Sequence, residues 1–128
     1  MRSHRIVPAA AALFAATTLL AAGPVLAHHS GAMFDHAKTV EVQGVVKNFA
    51  WTNPHAWVQL EVRGAGGVEL WDLEGGSPSV MAKDGWRKTS LKVGDKVTLA
   101  IHPMRDGGKG GALVGAILAD GSKVGPQG

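Results

Sequence analysis

Apolar residues crowd together without alternation from Ile6 to Ala22, whereas beyond residue 38 they fall mostly at every second position, the mark of half-buried strands. The stretch "TVEVQGVVKNF" (Thr39 to Phe49) alternates through Val40 and Val42 as far as Gly44, and Val45 and Val46 then shift its phase. A glycine inside a strand marks a bulge or a sharp bend, which a strand shared between two curved sheets requires. After the turn "WTNPH", the segment "AWVQLEV" sets Val58, Leu60 and Val62 on one face and Trp57, Gln59 and Glu61 on the other. A hairpin at Gly64-Ala65-Gly66-Gly67 leads into "VELWDLE".

The pattern then changes. "GGSPSVMAKDGW" predicts one short helix, capped by Ser77, opened by Pro78 at its first position and ended by Gly85. "LKVGDKVTLAIHP" predicts a turn and a strand with Val97, Leu99 and Ile101 facing inward, and "GALVGAILADG" a last strand after a glycine-rich loop. Strand, strand, strand, helix, strand, strand is the order of the small five-stranded OB-like barrel, mainly β, with its helix between strands 3 and 4. This reading assigns residues 39–128 to the barrel and 28–38 to an irregular arm. A plain β-sandwich fits the helix position poorly.

The apolar run at the start has basic residues before it, Arg2 and Arg5, and ends in "GPVLA", so residues 1–27 read as a cleavable signal peptide cut after Ala27. The run is rich in alanine, carries Pro8 and falls short of the ~20 strongly apolar residues of a membrane span, so no membrane insertion is expected after cleavage. The expected compartment is the periplasm or the exterior. Removing Arg2 and Arg5 from the 13 Lys and Arg leaves 11 against 10 Asp and Glu, which gives no electrostatic reason for nucleic-acid binding. With no cysteine there is neither a disulfide nor a thiolate metal site.

Of the six histidines, His28, His29, His36, His55 and His102 lie beyond the leader. Cleavage after Ala27 gives His28 a free α-amine, with an ordinary pKa near ~7.7 to 8.0. That amine, the His28 imidazole and a second histidine make a three-nitrogen set of the kind copper(II) favours. In an OB barrel the end of strand four lies beside the start of strand one and the arm before it, which nominates His102 as the partner, with the neighbouring His29 ranked beside it. His36, Met33 and Met104 are adjuncts, thioether sulfur favouring copper(I). His55 sits at the other end of strand one, and a strand of about seven residues spans roughly 23 Å, so His55 and His102 are not expected to share an ion.

Trp57 and Trp71, on adjacent strands, are a candidate ligand platform on the face OB barrels commonly use, while Trp51 and Trp86 read as lids on the barrel ends. Asp72 and Glu74 read as a solvated edge. "DGGKGGALVG" lacks the Gly-Lys-Ser/Thr and following helix of a phosphate loop. No serine or cysteine nucleophile arrangement is present, so an enzyme is not the expected class.

The blocks "AHHSGAMFDHAKTVEVQGVV", "WTNPHAWVQLEV", "EGGSPS", "LKVGDKVTLAIHPMRDG" and "LADG", in that order, resemble a family of small exported bacterial proteins of unknown function, domain-of-unknown-function family 6152. The resemblance implies export and a compact domain and implies no reaction. The expected function is a periplasmic protein that binds copper or another transition metal through the histidines of its mature N-terminus. The competing expectation is a non-enzymatic OB-type module that binds an envelope protein or glycan.

Overall fold

A computed structural model describes residues 31–126; the expected leader, residues 1–27, and the paired histidines His28 and His29 lie outside the described residues. A short 3-10 turn (Gly31–Met33) precedes six strands, β1 (Val40–Ala50), β2 (Trp57–Gly64), β3 (Gly67–Glu74), β4 (Lys96–Pro103), β5 (Gly110–Ile117) and β6 (Lys123–Val124). The helix α1 (Pro78–Lys83) lies between β3 and β4. The Ser77 hydroxyl accepts from the Val80 N–H, and Gly85 takes a positive φ of 88° just past the helix, so each predicted punctuation mark is used.

The strands run in the order β3-β2-β1-β4-β5-β6, and a parallel pairing of β3 with β5 closes the first five into a barrel. All other neighbours are antiparallel. This is the OB-type arrangement expected from the element order. The two-residue β6, paired to the end of β5, is an addition that its short apolar content did not announce.

β1 serves both halves of the barrel. Its residues Val40 to Val45 pair with β4 and Val45 to Ala50 with β2. Gly44 sits at this exchange of partners, where a Cβ would strike the Glu61 carbonyl and lie 2.7 Å from Leu60 Cγ. The bulge itself is at Lys47, between the pairs Val46↔Leu60 and Asn48↔Gln59. That extra residue moves the inward set from Val42 and Val46 to Phe49, so the change of phase expected at Val45 and Val46 falls just after them.

The core is filled by Val46, Val58, Leu60, Leu73, Leu99 and Ile101, none more than 1% exposed. Trp86 is 2% exposed and its ring lies 6.4 Å from Phe49, which also meets Trp51 at 5.7 Å. Trp51 and Trp86, expected as lids on the barrel ends, thus both pack near Phe49. Among the described residues no helix is long and apolar enough to cross a membrane.

Candidate functional site

The described part of the arm, residues 31–38, is docked on the barrel. It lies antiparallel along the chain that leaves β4: Phe34 bridges Met104, the Asp35 N–H donates to the Pro103 carbonyl at 2.8 Å, and the Arg105 N–H donates to the Met33 carbonyl at 3.0 Å. The Arg105 guanidinium adds a bond to the Ala32 carbonyl at 3.0 Å. Asp35 sits under two cations, Lys38 at 3.0 Å and Arg105 at 3.9 Å. Its hydrogen bond with Lys38, with smaller help from the Ala37 N–H and the Arg105 charge, holds the carboxyl below the usual range.

This docking brings His36 against His102, with ring centres 4.9 Å apart and planes at 68°. His36 Nε2 faces the Gly31 carbonyl at 2.9 Å, and His102 Nδ1 faces the Lys38 carbonyl at 2.7 Å. A carbonyl oxygen only accepts, so each of those nitrogens carries a proton, and in the neutral tautomer this selects, the other nitrogen of each ring is the one with the lone pair. A backbone carbonyl fixing an imidazole in this way is the usual support of a metal-ligating histidine. Two imidazoles each about 2.0 Å from one ion have ring centres roughly 4.5 to 5.2 Å apart at angles near 90° to 110°. The observed 4.9 Å falls inside that interval. Among the described residues no three of His, Cys, Asp and Glu gather closely enough to hold a metal ion.

The register of the barrel extends this site sideways. Trp57 pairs with Glu74, Glu74 with Ala112, and Ala112 with His102, one row across β2, β3, β5 and β4 on the outer face. Neighbouring strands lie about 4.8 Å apart, so three steps cover roughly 14 Å. His55 joins the end of that row through Glu74, its Nδ1 lying 2.5 Å from Glu74 Oε1. The separation of about 23 Å expected between His55 and His102 is the path along β1; barrel closure through β3 and β5 makes a shorter one.

Glu74 is not the solvated edge its position suggested. It is only 9% exposed, and its second oxygen is buried with no hydrogen-bond partner. Asp72, its neighbour on the same face, is exposed and accepts from Gln59. Beside Glu74 a cleft of about 170 Å³ opens between the arm, the β4–β5 loop and the strands, with Met33, Phe34, Trp57, Met104 and Lys109 in its walls. Gly110 and Gly111 form part of the cleft wall, and a Cβ on Gly110 would come within 2.6 Å of the Asp72 carbonyl.

The paired tryptophan platform does not form. Trp71 pairs with the core residue Leu60 and is half-buried on the inner side of the strand, whereas Trp57 pairs with Glu74 on the outside and is 40% exposed. Residues 57 and 71 are not opposite one another in the hairpin register, and their parity sends them to opposite faces. The Trp71 N–H donates to Glu69 at 3.2 Å, and Lys109 reaches both that carboxylate and the ring face. The indole bond first, and then Lys109, hold the Glu69 carboxyl below its ordinary range.

His102, His36, Met33, Met104 and Trp57 thus come to one side of the barrel, with His55 at its margin through Glu74. His28 and His29 lie outside the described residues. Sequence reasoning missed Glu74 as a buried group and Phe34 as the arm's anchor; the apolar Phe34 between two polar stretches was the available signal for the second. No curated protein and no solved structure matches the chain. A family model matches residues 16–113, and the chain belongs to that family of unknown function, DUF6152.

Proposed function

We propose that the protein is exported to the periplasm and binds copper(II) where the N-terminal arm crosses the end of β4. His36 and His102 supply one nitrogen each, and the free N-terminus at His28, with His29, completes the set. The observation that carries this reading is the contact of the His36 and His102 rings at 4.9 Å, each ring fixed by a backbone carbonyl on one nitrogen. Covalent reach supports the rest. His36 is hydrogen-bonded to Gly31, and His29 and His28 precede Gly31 by so few residues that the chain cannot separate them from it by more than about 7 and 11 Å. Imidazole and amine nitrogens suit copper(II), whose affinity leads the divalent series.

The envelope-ligand alternative rests on Trp57, the exposed aromatic on the OB binding face. Trp71 gives it no support, because its ring turns toward the core side.

The test is to purify the protein after export by its own leader, determine its first residue by mass, and titrate it with copper(II). The expected result is a chain that begins at His28 and binds one equivalent, with affinity lowered at least about tenfold in each of His28→Ala, His36→Ala and His102→Ala. A chain that begins beyond His29, or binding unchanged in His36→Ala and His102→Ala, contradicts the proposal.

A further inference from the structure

We propose that the cleft beside the imidazole pair is a separate site for a soft monovalent cation, copper(I), held by the thioether sulfurs of Met33 and Met104 with the Trp57 indole against it. The chain has four methionines. Met1 begins the leader and Met81 is core, 5% exposed. The two others come from distant parts of the sequence and line the same cleft. The arm contacts that bring them there are backbone ones, the Phe34↔Met104 bridge and the Arg105 N–H to Met33 carbonyl bond, so their juxtaposition is built into the fold.

Both methionines are half-buried, a position in which a flexible apolar side chain is ordinary filler. Charge distinguishes this cleft from mere packing. Glu74 brings to its wall a carboxylate that is buried, with Oε2 lacking any hydrogen-bond partner. Asp72 and Lys109 also line the cleft, and the Lys109 ammonium is drawn to Glu69 at 3.2 Å. Glu74 and Asp72 make this wall acidic in character, with His55 held on the other Glu74 oxygen and the Lys109 ammonium turned to Glu69, which favours a cation over a neutral guest. A divalent ion would lose more hydration on entering an apolar wall of Phe34, Trp57 and two thioethers. Thioethers prefer copper(I), and an indole face attracts a cation that has shed its water.

His36 and His102 do not line this cleft, so its donor atoms are distinct from those of the copper(II) site proposed above. Its test uses silver(I), a monovalent soft ion that does not change oxidation state, added to the full chain labelled at the methionine methyls. The Met33 and Met104 methyl signals should shift together and saturate at a single equivalent, while the Met81 signal stays in place. Met33→Leu with Met104→Leu, which nearly preserves volume, should weaken silver binding at least about tenfold without altering thermal unfolding. Unshifted Met33 and Met104 methyls overturn the proposal, as does silver binding that survives the methionine changes. The methyl shifts are read in the unsubstituted protein, so the outcome stands even if a variant fails to fold.

Discussion

Asp35 shows how few groups hold the arm in place. It anchors the arm twice, by its backbone N–H to Pro103 and by its carboxylate between Lys38 and Arg105. Because its pKa is lowered in the folded protein, ionised Asp35 favours the docked arm above the unfolded carboxylate value near ~3.9, and that contribution is lost as pH falls through the lower folded value. Hydrogen exchange at the Arg105 and Asp35 amides should therefore be slow at neutral pH and accelerate, relative to barrel amides such as Leu99, below about pH 4. Equal acceleration in arm and barrel would contradict a local role for this carboxylate. At the same scale Glu74 was misjudged for a definite reason. Two acidic residues spaced two apart on a strand read as an outer face, and Asp72 obeys that reading; the arm and loop that cover Glu74 come from sequence far away.

At the scale of elements, β1 carries the most information. Its glycine was legible as a special position, but its role is close packing at the exchange of partners from β4 to β2, while the bulge falls at Lys47. The Gly44→Ala substitution should cost about 1 to 3 kcal/mol in chemical denaturation, since the new methyl meets backbone on one side and Leu60 on the other. A variant as stable as the parent would mean that the strand can open there. The helix was fully legible, because Ser77, Pro78 and Gly85 act through local backbone chemistry that needs no distant partner. The arm was not, because its order comes from contacts with Pro103, Met104 and Arg105, which no local periodicity encodes.

For the whole molecule, the decisive feature is closure. Element order was enough to name the barrel, and adjacency of β4 to the start of β1 was enough to bring His102 to the arm. What stayed hidden is the second route around the barrel, through β3 and β5, which sets Trp57, Glu74 and His102 in one row and folds the apparent distance between the ends of β1. Parallel pairing of β3 with β5 depends on the shear of the closed sheet, a property of all the strands together. The proposed copper site on the His36 and His102 pair is tested most directly by pulsed electron paramagnetic resonance of the protein expressed with its own N-terminal segment, purified from the envelope and loaded with one equivalent of copper(II). The account predicts coupling to the remote nitrogens of at least two imidazoles, reduced by one in His36→Ala and by one in His102→Ala; a spectrum without imidazole coupling, or one that neither substitution changes, contradicts it.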